Sequence, residues 1–507
     1  MSHPWPSLVA ALTLALTPLS PYAAPPATGS GTPLDLNLPS LGTVSGADLS
    51  PSEERALGEQ IMQSVRADPT YLSDPELTEY LNRLGYQLVS HTKSSTYTFD
   101  FFAIRDATLN AFALPGGFVA VHTGTIVAAK SESELAGVMG HEIGHVTQRH
   151  IARMIEGQKG NLAVTLGSLL LAILAARAGG NSGGQAAAAI AMGSQAALIQ
   201  SQLNYSQNAE READRIGLQT LAASGFDPRG MENFFKRLQA NNRFYESAAP
   251  AYLSTHPLTT ERLIDMENRT QQMKSHMHAD SADFLLMQQR ARVLQATGTE
   301  ERLQLLKTMG AEYKAAQGRR KAVLAYGLYS LEDALGHRKT ALEYAREAER
   351  LFPDNASVQR AVLRSGFDNA DTTAAKEAVL KQAEAAARHF PLSSMMTENV
   401  VDMLYSLGRH AELIKLLRSG DTALKDDTPD YHALLARSYA ALGQKSLQFR
   451  HTGEMYALLG QTQAAVYQYD LAQRANDGDF YTMSEIDARL RDLRAKLLDE
   501  QAKRNSR

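Results

Sequence analysis

The chain of 507 residues contains no cysteine. That excludes disulfides, thiolate metal ligands, a cysteine nucleophile and a lipid-modified N-terminal cysteine. No Lys or Arg precedes Arg55, so the front of the chain lacks a basic stretch. An excess of either charge is missing too. Lys plus Arg total 51 and Asp plus Glu 55, a formal net charge of -4. That balance argues against a nucleic-acid binder. The apolar runs at 7–19 and 162–176 fall short of the ~20 residues of a spanning helix. What is present is globular material, 44% apolar and 21% charged. The length exceeds one ordinary core and implies two or three domains.

Ser7 to Leu19 is an apolar stretch followed by Ala23 and Ala24. It reads as a secretory signal peptide over 1–24, although the basic start is missing and Pro21 or Tyr22 fills the outer cleavage position. Residues 25–51, rich in Pro, Gly, Ser and Thr, read as a linker. A helical rhythm begins at Ser52 with Ala56, Ile61, Met62 and Val65. Tyr97–Ile104 and Gly117–His122 read as strands, with turn chemistry at Pro115–Gly117 between them. Helical pattern returns near Glu132 and continues to the end. The expected fold is therefore mostly α with a small β-sheet. Leu162–Ala176 and Gln185–Ile199 are uncharged arms around a Gly-rich turn. Their shortness favours groove-covering helices, or an apolar lid over a cleft, above a membrane hairpin.

His141-Glu142-Ile143-Gly144-His145 lies in an apolar helical stretch. Positions i and i+4 share a helix face, so both imidazoles can reach one metal ion. Glu142 sits one step round the helix, where a general base is needed. A catalytic zinc of this kind takes a third protein ligand. Downstream, Glu210 and Asp214 are again i and i+4 in a helical run. One carboxylate can bind zinc and the other can hold a ligand histidine by its second nitrogen. Glu212, between them, reads as a solvated helix charge. His122 and His150 read as structural, since His150 lies nine residues from His141 and roughly half a turn off the ligand face.

In the C-terminal half, Leu-Gly pairs occur at 335–336, 407–408, 442–443 and 459–460. Gly408 to Gly443 is 35 residues and Gly336 to Gly408 is 72, near one and two tetratricopeptide units of about 34. Ala322–Asn355 fits such a unit best, with Leu328, Gly336, Ala341, Ala348 and Pro353 in place. A solenoid of this kind binds segments of other proteins.

The sequence resembles the gluzincin metallopeptidases, a family that includes HtpX, the mitochondrial OMA peptidase and the CAAX-prenyl endopeptidases. The resemblance rests on HEIGHVTQRH at 141–150, AEREADRIG at 209–217 and the repeat-like tail. It runs from about Leu41 to the C-terminus and is strongest between Asn110 and Arg262. It implies a peptidase domain over 52–270 and a TPR-like helical repeat domain over 271–507. It implies one Zn2+ per chain held by His141, His145 and Glu210, with Glu142 as catalytic base and Asp214 as a supporting acid, sometimes described as proton donor. The stretch from Asn110 through Gly117 into Val119 and Val121 resembles the family's substrate-binding edge strand, an exposed edge that pairs with peptide main chain. Ser254–Leu258 with Arg262 resembles a loop whose histidine reaches and blocks the metal. On the residues alone, His256 is either such a gate or a surface or capping residue, and Arg262 either stabilises the transition state or is structural. The family's periplasmic, repeat-bearing branch implies Sec export, misassembled outer-membrane proteins as substrates, a chaperone-like role in β-barrel assembly, and docking of the repeats on the barrel-assembly machinery. It leaves open a peripheral membrane contact. The rival expectation is an assembly chaperone whose peptidase is latent, gated by His256 and the segment at 162–199.

Overall fold

The computed structural model describes residues 49–92, 97–157, 207–242, 252–253, 256–274, 277–420, 422, 424 and 426–505. The expected signal peptide at 1–24, most of the linker and the apolar arms at 162–199 lie outside them. The described residues fall into two compact units. One holds those up to Leu335 together with Lys339–Val362. The other holds Gly336–Arg338 and those from Leu363 onward.

The first unit begins with α1 (Pro51–Arg66). Ser50 caps it, accepting from the Glu53 main-chain N–H while the Glu53 carboxylate accepts from the Ser50 N–H. There follow β1 (Tyr71–Leu72), α2 (Pro75–Val89), β2 (Asp100–Ile104), β3 (Ala111–Leu114) and β4 (Phe118–His122). Then come α3 (Thr123–Ala128), α4 (Glu132–Thr147), α5 (His150–Gly157), α6 (Gln207–Ala223), α7 (Arg229–Asn242) and α8 (Thr260–Gln272). The sheet order is β1-β2-β4-β3. β4 runs parallel to β2 and antiparallel to β3, which Pro115-Gly116-Gly117 joins to it. Gly116 and Gly117 take φ of 78° and 94°, which a side chain would resist.

Alternation divides the sheet between two cores. Phe101, Ala103, Ala111, Ala113, Val119 and Val121 join the larger core with Leu77, Leu81 and Leu88 of α2 and Leu135, Val138 and Met139 of α4. Phe102, Ile104, Phe112, Leu114, Phe118 and Ala120 face Ile61, Met62 and Val65 of α1. The small sheet amid many helices bears out the expected fold class.

α9 (Ala282–Gln295), α10 (Thr299–Ala315), α11 (Gly318–Ala334) and α12 (Arg338–Glu349) continue the chain. α9, α10 and α11 belong to the first unit. Arg290 of α9 donates to both oxygens of Asp74 at 2.7 and 2.6 Å, which ties α9 to the N-terminus of α2. Beyond α13 (Ala356–Asp368), the second unit is helical: α14 (Thr373–His389), α15 (Ser394–Ser406), α16 (His410–Arg418), α17 (Pro429–Ala441), α18 (Lys445–Leu458), α19 (Thr462–Ala475) and α20 (Phe480–Asn505). Leu335, Leu407, Leu442 and Leu459 are the C-caps of α11, α15, α17 and α18, and each following glycine has φ between 71° and 80°. The Leu-Gly pairs are thus helix stops. Among the described residues, no helix is long and apolar enough to cross a membrane.

Candidate metal centre

α4 carries the HExxH segment and is buried from Glu132 to Val146. Its first turn is anchored: Ser131 caps it, and Glu132 accepts from the Ser281 N–H, the Ser281 hydroxyl and Tyr80 at 3.0, 2.7 and 3.2 Å. α6 lies against α4 through residues with little or no side chain. A Cβ on Gly144 would stand 3.0 Å from the Ala213 carbonyl oxygen, and one on Gly217 3.0 Å from the His141 main-chain nitrogen. The close approach brings Glu210 and Asp214 of α6 to the imidazoles of α4.

His141 Nε2 and His145 Nε2 lie 3.0 Å apart. Glu210 Oε2 is 3.5 Å from the first and Glu210 Oε1 3.4 Å from the second. His256 Nδ1 stands 2.9 Å from Glu210 Oε1. His141, His145, Glu210 and His256 are buried, with one ligand atom from each within 4.8 Å of the others. Three imidazoles and a carboxylate are a donor set that zinc takes readily, so the residues present fit the ion.

Outward from these donors, Asp214 Oδ1 lies 3.0 Å from His141 Nδ1. Arg262 clasps Asp214 with Nε and Nη2, each at 2.8 Å. Its Nη1 donates to the Pro257 carbonyl and pairs with Glu210 Oε2, both at 2.8 Å. Burial opposes ionisation of Asp214, but His141 and Arg262 outweigh it and hold the carboxyl below its usual range. Asp214 is thus held as a carboxylate, placed to fix His141 by Nδ1. Burial lowers His141, yet Asp214 and Glu210 together push it up to about 9. His145 goes the other way: burial drives its pKa well down despite Glu210.

Glu142 is fully buried, and neither carboxylate oxygen has a well-formed hydrogen bond among the described residues. Burial raises its pKa, opposed in part by His256 and His141. His256 Nε2 stands 3.7 Å from Glu142 Oε1. Its ring stacks on Tyr252 at 4.5 Å, and its N–H donates to the Tyr252 carbonyl at 2.8 Å. The Tyr252 N–H in turn reaches the Leu109 carbonyl, just before β3.

The structure corrects the expected edge. Val119 and Val121 sit on β4, whose two sides are taken by β2 and β3. The outer strand beside the metal centre is β3, with Asn110 just before it and Gly117 in the turn after it. That strand is not exposed either: each of its residues is at most 1% accessible.

Two residues near the centre escaped sequence reasoning. His150 Nδ1 is 2.9 Å from His145 Nδ1, and His150 Nε2 is 3.1 Å from Glu212 Oε2. On one continuous helix His150 would fall off the ligand face. The chain breaks instead at Arg149, with φ of 55°, between α4 and α5. The five-residue interval from His145 to His150 was the only available hint.

Comparison with known proteins agrees with this geometry. The sequence profile of peptidase family M48 matches residues 75–270. The chain is 34% identical to the beta-barrel assembly-enhancing protease of Yersinia pestis over 503 residues, covering 96% of this chain and 98% of that protein. It is 33% identical over 464 residues to the protein of the same name in Escherichia coli K12, covering 90% and 91%. Mitochondrial metalloendopeptidase OMA1 of Schizosaccharomyces pombe is 32% identical over 190 residues, 38% of this chain and 52% of that one.

Proposed function

The chain belongs to peptidase family M48, and from that premise we propose that it is an exported zinc endopeptidase that removes misassembled outer-membrane β-barrel proteins in the periplasm and also assists their assembly. The observation that carries this reading is similarity along nearly the whole length to proteases named for barrel assembly, joined to an intact donor set with a buried glutamate beside it. When bound, zinc supplies Lewis-acid polarisation of a carbonyl and acidification of water. His141, His145 and Glu210 are its ligands in the working state. Glu142 takes a proton from water and passes it to the leaving amine. Its raised pKa suits that exchange, because a carboxyl nearer neutrality both accepts and releases a proton. Asp214 holds His141 by Nδ1. Arg262 helps keep Asp214 ionised and holds both Asp214 and Glu210 in place, and each of its three guanidinium nitrogens is engaged there, which favours the structural role over a transition-state one.

β3 is the strand that a substrate main chain would pair with. Pairing requires that strand and site first be uncovered, because His141, Glu142, His145, Glu210 and His256 are all fully buried. In this reading His256 is a gate that takes the coordination position water and substrate need. The same burial favours a second reading, an assembly chaperone with a latent peptidase. The organisation proposed is signal peptide 1–24, linker 25–51, peptidase domain 52–270 and TPR-like repeats 271–507, the repeats docking on the barrel-assembly machinery.

The test is cleavage of an unfolded outer-membrane barrel protein by purified wild type and Glu142→Gln, beside assembly of that barrel in cells carrying each. Cleavage by wild type alone, with misassembled barrels accumulating in Glu142→Gln cells, supports the protease. Full assembly with Glu142→Gln and no cleavage by wild type would favour the chaperone.

A further inference from the structure

We propose that His150, held by Glu212, is the positioning residue that sets the tautomer and ring orientation of His145 for zinc. The inference rests on the metallopeptidase reading and deepens it.

A histidine that ligates through Nε2 must carry its proton on Nδ1, and that N–H needs an acceptor. For His141 the acceptor is a carboxylate, Asp214 at 3.0 Å. For His145 it is a second imidazole, His150 Nδ1 at 2.9 Å. An imidazole that accepts at Nδ1 is protonated at Nε2. His150 Nε2 faces Glu212 Oε2 at 3.1 Å, so it donates there. Arg153 Nη2 donates to that same oxygen at 2.9 Å and holds the carboxylate. One placement of the protons satisfies all of these contacts, and it leaves the Nε2 lone pair of His145 on the metal side, toward His141 and Glu210.

The backbone is arranged for the contact. Arg149 occupies the left-handed region, which a side-chain-bearing residue rarely adopts. Its guanidinium Nε donates to Glu54 at 2.9 Å, which pins the turn. The reversal at this residue starts α5 at His150 and brings that ring to 4.8 Å from the His145 ring, centroid to centroid. His150 is 4% exposed, so its nitrogens have little recourse to water. Glu212 lies two residues from Glu210 on α6. One helix thus supplies a ligand on one face and the support for a second ligand on another.

The test measures zinc affinity by competition with a chromophoric chelator, the visible spectrum of the cobalt(II) form, and the Tm of the metal-free protein. The variants are His150→Phe, His150→Gln and Glu212→Ala. His150→Phe is expected to weaken zinc roughly 10–100-fold and to change the cobalt spectrum. His150→Gln keeps an acceptor for the His145 N–H and is expected to recover most of both. Glu212→Ala, at a partly exposed position, is expected to lose several-fold in affinity with metal-free Tm unchanged. Wild-type affinity and spectrum in His150→Phe or in Glu212→Ala would overturn the proposal, as would equal loss in His150→Gln and His150→Phe. A wild-type protein that binds no zinc would instead remove the metallopeptidase reading, and this inference with it.

Discussion

Two buried histidines, His141 in one compact unit and His451 in the other, face opposite electrostatics. In the first unit His141 meets Asp214 and Glu210, and the carboxylates outweigh burial and push its pKa up to about 9. In the second unit His451 stacks on Tyr439 and lies 2.9 Å, nitrogen to nitrogen, from His432. There burial dominates, His432, Arg450 and Arg418 add to it, and the pKa falls to about 3. Burial is common to both, so the carboxylates make the difference. The helical unit buries His451 as neutral packing, whereas the metal centre sets His141 against carboxylates that a metal cation can satisfy in place of a proton.

The largest way to break this contrast is to remove the cation that holds the anions. Arg262→Leu takes the guanidinium away from two buried carboxylates, leaving Asp214 with His141 alone and Glu210 with its histidines. We expect a loss of about 3–5 kcal/mol, read as a fall in metal-free stability on urea unfolding. A loss under 1 kcal/mol would mean that the guanidinium is not what stabilises those carboxylates.

Zinc must displace the proton from His141, so apparent affinity should rise as pH climbs toward 9, by up to about tenfold per unit. Chelator competition at pH 7 and 8 reads this directly, and a flat profile would contradict the raised pKa.

His451 carries the opposite sign. Its unfolded pKa is about 6.5 and its folded pKa about 3, so between those values the unfolded chain takes up a proton that the folded one does not. Stability is then full above about 6.5 and falls with pH, by at most roughly 1.4 kcal/mol per unit. His451→Gln should flatten the acid limb of thermal melts followed between pH 7 and 4, and an unchanged slope would place the acid sensitivity elsewhere.

The smallest effect should come from a charge outside both clusters. Arg211 and Glu261 pair at 3.0 Å on the surface, and Glu261→Ala should change stability by less than about 0.5 kcal/mol.

Much of the metal centre was legible because it obeys helical periodicity. Residues at i and i+4 share a face, so His141 with His145, and Glu210 with Asp214, could be paired from spacing alone. The Leu-Gly stops were legible for a related local reason, the left-handed conformation that glycine takes after a helix. What escaped depends on non-local events. The left-handed Arg149 resets the helical phase between His145 and His150, and no proline or glycine marks it. The identity of the outer strand depends on β4 inserting between β2 and β3, which alternation cannot reveal. The approach of His256 to Glu210 and Glu142 is equally hidden, since a lone histidine in a loop carries no sign of what it will touch.

Under the proposed function, the zinc site of this peptidase is closed at rest by His256. The most direct measurement is the zinc content and casein-cleavage rate of wild type, Glu142→Gln and His256→Ala. One zinc per chain is expected in all three, with cleavage reduced at least ~10²-fold in Glu142→Gln and several-fold faster than wild type in His256→Ala. Loss of zinc in His256→Ala, or zinc retained with no gain in rate, would contradict it.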